Sequence, residues 1–238
     1  VILWRALLII YPELDFRRPG RRWRKGRVRH RATEQEITDA TVSFHAFPQL
    51  VAELTFGEVR VVERSVMIDS PLRSLTREHG KFYWPSPKDT RRELDRLAPR
   101  GSCDSVFVFW PQHDSNSGSA VPCRGWGLGM GAEAGTNGAT YAVVSNVPSQ
   151  AWQGEAPGEV WLHEWLHGVC RHFAGKGYPM PDRDADGAEI HGYVRSPTRG
   201  WTQYYCDLMN GRVAENGKMV GIPSGAWAIE TPSRTGLV

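Results

Sequence analysis

The stretch PGEVWLHEWLHGVCRHFAG, residues 157–175, decides the reading of this chain. Leu162, Leu166, Val169 and Phe173 recur at the spacing of a helix with one buried stripe. Pro157 suits a first helical turn and Gly175 suits its end, so the pattern predicts a helix over these residues. On such a helix His163 and His167 lie one turn apart on one face, at the flank of the apolar stripe. Two imidazoles so placed can reach a single metal ion, with Glu164 beside them.

Two neutral imidazoles and a third protein ligand leave one tetrahedral position for water, which zinc makes acidic enough for a neighbouring carboxylate to deprotonate. Glu164 is the candidate base. Through this His-Glu-x-x-His pattern the chain resembles the zincin metallopeptidases, mainly over residues 157–213. The resemblance implies a zinc-dependent endopeptidase acting on a protein or peptide substrate, with an active-site helix below a small mixed sheet. Metzincins place a glycine three residues after the second histidine and their third ligand six residues after it. Here Cys170 and Phe173 occupy those positions, so the third ligand must come from further along.

The segment 181–193, PDRDADGAEIHGY, offers the candidates. Imidazole commonly completes a site that already holds two histidines, and Gly192 lets the backbone turn sharply after His191. His191 is therefore the expected third ligand, with Glu189 or Asp186 as alternatives. Asp182, Asp184 and Asp186, followed by Gly187, have the oxygen-ligand spacing that opens a calcium loop. An EF-hand needs Glu at the twelfth position, where Tyr193 stands, so any calcium site here has another shape. The alternative is an acidic turn whose side chains cap their own backbone.

Downstream, residues 204–211, YYCDLMNG, look like the methionine turn that underlies the zinc in metzincins, with Met209 as an apolar floor. The ordinary alternative is a core methionine before the Asn210-Gly211 turn. Tyr193, Tyr204 and Tyr205 are candidates for a hydrogen bond to a developing oxyanion; Tyr204 stands for them in the candidate catalytic set, beside Glu164.

The 238 residues are 40% hydrophobic, enough for one core or a core split by a cleft. Strand signals fall at about 3–11, 58–68, 105–110 and 140–146, and helix signals at about 46–55 and 88–98. The expectation is an α+β fold spanning residues 1–238 as one zincin-like catalytic domain. A small mixed twisted sheet with a backing helix and the active-site helix forms an upper lobe to about residue 175. An irregular lower lobe covers about 176–238. Residues 140–146 are expected at the cleft, where an extended peptide can pair with a sheet edge. Residues 125–131, GWGLGMG, read as a flexible loop beside the cleft, since they lack the Lys-Ser/Thr of a phosphate loop.

Cys103, Cys123, Cys170 and Cys206 include no C-x-x-C pair. The spacing suggests disulfides Cys103–Cys123 and Cys170–Cys206, and with them a secreted, extracellular protein. Residues 1–11 are too short to span a bilayer and carry Arg5; they read as a buried strand, with any targeting segment removed or upstream.

Charge is uneven. Residues 17–31, RRPGRRWRKGRVRHR, hold nine of the 29 basic residues and none of the 26 acidic ones, so the formal +3 hides a net −6 elsewhere. Such a run, with Trp23 inside it, could contact a polyanion, or it could be a solvated loop on a cleft rim. The expected protein is a monomeric, secreted zinc endopeptidase without a membrane span, with Zn2+ as its cofactor and Ca2+ as a second candidate at the aspartate turn. Its alternatives are a noncatalytic polyanion- or glycan-binding module and a zinc amidase acting on cell-wall peptides.

Overall fold

The computed structural model describes residues 1–18, 26–146 and 156–229. It is a mixed α+β fold around a five-stranded sheet of order β10-β11-β7-β1-β4, where β1 is Ile2–Ile10, β4 Val59–Met67, β7 Ser105–Trp110, β10 Gly127–Met130 and β11 Thr140–Ser145. The pairs β1–β4, β1–β7 and β7–β11 are parallel, and β10 closes the cleft-side edge antiparallel to β11.

Parallel strands are covered on both faces, which is why β1 and β7 read as unbroken apolar runs. Alternation divides their side chains: Trp4, Ala6, Leu8, Ile10, Phe107 and Phe109 enter one core, and Leu7, Ile9, Val106, Val108 and Trp110 the other. The first core holds two long helices, α1 (Glu34–Leu54) and α3 (Glu159–Ala174). The second lies under the short α2 (Arg91–Leu97) and the hairpin β5–β6 (Thr76–Glu78, Phe82–Trp84).

Helix α3 is fixed by aromatics. Trp161 packs edge-on to Phe44 and Phe107, while Trp165 meets Trp4 and Phe47 edge-on and stacks on Trp227 at 5.8 Å. The indoles of Trp4 and Trp165 both donate to Ser105 Oγ, at 2.8 and 2.9 Å, and Ser105 in turn bonds Thr140 Oγ1 at 2.6 Å. One hydroxyl on β7 thus ties β1, β11 and α3 together.

The four main strand signals fall on β1, β4, β7 and β11, but three expectations change. The helix expected at 46–55 is the second half of α1, which begins at a capping box where Thr33 accepts from the Glu36 amide and the Glu36 carboxylate accepts from the Thr33 amide. The glycine-rich stretch includes strand β10, not only loop. Strand β11, expected at the cleft, is an interior strand buried along its whole length, and β10 takes the edge.

The reason is steric. A Cβ on Gly127 would sit 2.3 Å from the Glu164 carboxyl carbon, one on Gly129 2.2 Å from the Glu164 carbonyl oxygen, and one on Gly168 2.5 Å from the Met130 carbonyl oxygen. The glycines weaken strand propensity but let β10 lie directly on α3.

Beyond α3 the chain has short elements: 3-10 turns at Asp184–Asp186 and Glu189–His191, helix α4 (Thr202–Leu208), hairpin β12–β13 (Val213–Glu215, Lys218–Val220) and helix α5 (Ala226–Ile229). Glu13–Arg17 (β2), which leads into the basic segment, and Arg27–Arg31 (β3) within it form a hairpin rather than a loop, His113–Asp114 (β8) pairs with Ser119–Ala120 (β9), and residues 19–25, including Trp23, lie outside the described residues. No helix among the described residues is long and apolar enough to cross a membrane.

All four cysteines are free, which corrects the expected disulfides. Cys103 precedes the first residue of β7, whereas Val121 pairs with Gln112 beyond its last, so Cys103 and Cys123 flank a strand roughly 20 Å long. Cys123 instead donates to the Tyr83 carbonyl at 2.9 Å. Cys170 is buried within the first core, while Cys206 turns toward Arg212 at 3.3 Å. Burial pushes the thiols of Cys103 and Cys123 up, to about 11 and about 12. The pairing argument for an oxidising compartment loses its footing with them.

Gly129→Ala is expected to destabilise the fold by about 3 kcal/mol, the upper range for overpacking, because backbone rather than a flexible side chain opposes the new methyl. Urea unfolding measures it; a loss below about 0.5 kcal/mol would show that β10 does not press on α3 as described.

Candidate metal centre

Helix α3 starts after Gly158, whose φ of +89° and contact with the Phe47 backbone leave no room for a side chain. One turn further, His163 and His167 direct their Nε2 atoms to one place, 3.3 Å apart. The remaining ring nitrogens are occupied: His163 Nδ1 pairs with the Tyr205 hydroxyl at 2.9 Å and His167 Nδ1 with the Asp184 carboxylate. A histidine held by its Nδ1 in this way offers Nε2 to a metal.

The third group is Asp186. Its carboxylate lies 3.4 Å from His163 Nε2 and 3.8 Å from His167 Nε2, and among the described residues these three side chains form the one cluster of His, Cys, Asp and Glu close enough to share an ion. Tetrahedral ligands at zinc distances of about 2.0–2.1 Å stand about 3.4 Å apart, close to the 3.3 Å between the two Nε2 atoms, while the Asp186 carboxylate faces His163 with one oxygen and His167 with the other. The donor set of two imidazoles and one carboxylate fits zinc and also other divalent transition metals.

The turn that delivers Asp186 is tightly wound. Arg183 and Asp184 adopt φ of 62° and 38°, Asp184 also accepts from the Ala185 amide, and the Tyr204 hydroxyl donates to the Asp184 carbonyl. Alternate residues of this one turn therefore act on the same helix, Asp184 behind His167 and Asp186 in front of it. A Cβ on Gly187 would meet the Asp182 carbonyl and the Tyr204 hydroxyl, at 2.5 and 2.6 Å, so the close approach requires glycine.

The structure does not bring His191 to the pair. Its ring stacks on Tyr204, 6.2 Å between centroids, and its Nε2 faces the Asp182 carbonyl at 3.4 Å and Glu215 at 3.6 Å. Glu189 is exposed and outside the cluster. The calcium expectation fares no better: Asp184 and Asp186 face the histidines, Asp182 lies outside the cluster, and no shared oxygen cage forms among the three. Tyr204 is spent on the Asp184 carbonyl and Tyr193 on Asp207 at 2.9 Å; the cleft-lining tyrosine is Tyr205. Met209 is fully buried at the end of α4, and its carbonyl accepts from Trp227 Nε1 at 3.1 Å.

Glu164 is buried beneath β10, with an oxygen 4.0 Å from His163 Nε2. Burial pushes its pKa up, against the lowering effect of the two imidazoles. Burial alone would push His167 down, but the hydrogen bond and charge of Asp184 outweigh it and leave the imidazole above 6.5. Asp186 is held below the usual carboxylate range, chiefly by its hydrogen bond with His163 and last by the Arg124 charge. These groups line a cleft of about 940 Å³ that also exposes β10, Trp126 and Trp201.

No known family's sequence profile matches the chain, and no curated protein matches it in sequence.

Asp186→Ala is expected to weaken zinc binding at least about 100-fold, while His191→Ala leaves it within about threefold of the original, measured by competition with a chromophoric chelator. Equal losses would return His191 to the ligand set.

Protons compete with a metal for the same imidazoles, so affinity falls as pH drops. Because Asp184 holds the His167 proton above 6.5, the fall begins at a higher pH than an ordinary imidazole would give, and Asp184→Asn shifts it downward. Titrations between about pH 5 and 8 read the midpoint; an unmoved midpoint would contradict the role of Asp184.

Proposed function

We propose that the chain is a zinc-dependent endopeptidase of the zincin type, with His163, His167 and Asp186 as metal ligands and Glu164 as general base. The observation that carries this reading is the convergence of two Nε2 atoms and one carboxylate on a point that Glu164 also faces, at the floor of an open cleft. Zinc, when bound, supplies a Lewis acid and lowers the pKa of a water from about 16 to about 7.

The protein's own groups supply the rest. Glu164 takes the proton from the attacking water, and its burial favours the protonated carboxyl long enough for transfer to the leaving amine. Tyr205 and Asp184 fix both imidazoles, so no ring has to reorient during turnover. The free edge of β10 can bind an extended peptide by main-chain hydrogen bonds, and its glycines keep that edge low against the site. A substrate laid there crosses directly above Glu164, because Gly127 sits on that side chain.

Glu164→Gln keeps the size of the side chain and removes the base. It is expected to lower kcat/KM for a cleaved peptide by about 10³-fold while zinc binding stays within a few-fold. Cleavage at the original rate would refute the mechanism.

A further inference from the structure

We infer that the cleft selects peptides bearing a carboxylate near the scissile bond, with Arg124 as the main counter-charge. This rests on the hydrolase reading for its catalytic consequence, but the binding preference can be measured without turnover.

Three arginines from separate elements line the cleft: Arg124 in the approach to β10, Arg171 one turn past His167 on α3, and Arg195 before α4. Most acids in the same cleft have partners of their own. Asp184 holds His167, Asp186 faces the two histidines, and Glu159 accepts from the Trp201 amide at 2.7 Å. Glu164 is buried, and the remaining acid, Glu78, is 3.5 Å from His79. The acids of the cleft are thus buried or matched with neighbours, and three arginines share the cleft with them.

Arg171 lies 3.9 Å from Glu133, both more than half exposed, and such a pair yields readily to a better partner. Arg124 is exposed and lines the same cleft as Asp186 and Glu164, so a carboxylate it holds sits within that cleft. Its planar fork can grip a carboxylate with two parallel hydrogen bonds. Trp126, 51% exposed, and the half-buried Trp201 give apolar walls for the methylenes of a glutamate side chain.

The carboxylate could come from an acidic side chain or from a peptide C-terminus. Cleavage sites in a proteome-derived peptide mixture, read by mass spectrometry, define a test sequence. Peptides with Glu or Gln at the enriched position are then compared, each with a free and an amidated C-terminus. The Glu peptide is expected to have about tenfold higher kcat/KM than its Gln partner, and Arg124→Glu to reverse that ratio. A preference that follows the free C-terminus instead assigns the terminal carboxylate as the group held.

Dye-labelled peptides that differ only in Glu or Gln at one central position, titrated onto zinc-loaded Glu164→Gln, give binding without chemistry and need no known cleavage site. If no peptide is cleaved but acidic peptides bind about tenfold tighter through Arg124, the hydrolase reading falls and the carboxylate site stands. Equal handling of Glu and Gln peptides, or a ratio unmoved in Arg124→Glu, overturns the inference.

Discussion

Two imidazoles one helical turn apart can share one ion only if each points a ring nitrogen at the same place, and the contacts that set His163 and His167 in that way run through this structure. They act from behind. Tyr205 on α4 holds His163 Nδ1, Asp184 in the turn after α3 holds His167 Nδ1, and both Nε2 atoms are left facing forward, 3.3 Å apart. The supporting groups come from the chain beyond α3, so its short, irregular elements aim the two imidazoles. Glu159, at the start of α3, binds the Trp201 amide and anchors the first residues of α4 to the same helix.

The helix must itself be held still, and two kinds of contact do so. Aromatic packing of Trp161 and Trp165 presses it to the sheet, with Ser105 satisfying two indole donors that would otherwise be costly to bury. On the cleft side, Gly127, Gly129 and Gly168 remove the side chains that would separate β10 from α3. The result is a strand edge, unpaired among the described residues, that lies over Glu164.

How far the sequence discloses this depends on the kind of signal. Strands β1 and β7 are evident because burial on both faces demands apolar runs, and α3 because its stripe and its histidines share one period. Strand β10 is hidden because its glycines answer to the neighbouring helix rather than to strand propensity. Asp186 is hidden for a related reason. Composition favours the imidazole of His191, but a tight turn through left-handed Arg183 and Asp184 puts a carboxylate at the site and carries His191 onto Tyr204. The D-x-D-x-D-G pattern does mark that turn, whose Asp184 and Asp186 side chains face the histidines of α3. The cysteine spacing misleads because sequence separation does not report that residues 103 and 121 flank opposite ends of a six-residue strand.

The most direct measurement is a crystal structure of the zinc-loaded protein with anomalous scattering recorded at the zinc edge. One strong peak is expected about 2.0–2.1 Å from His163 Nε2, His167 Nε2 and an Asp186 oxygen, with Glu164 outside the coordination sphere. A peak coordinated by His191 in place of Asp186, or no peak between the two helix histidines, would contradict that ligand set.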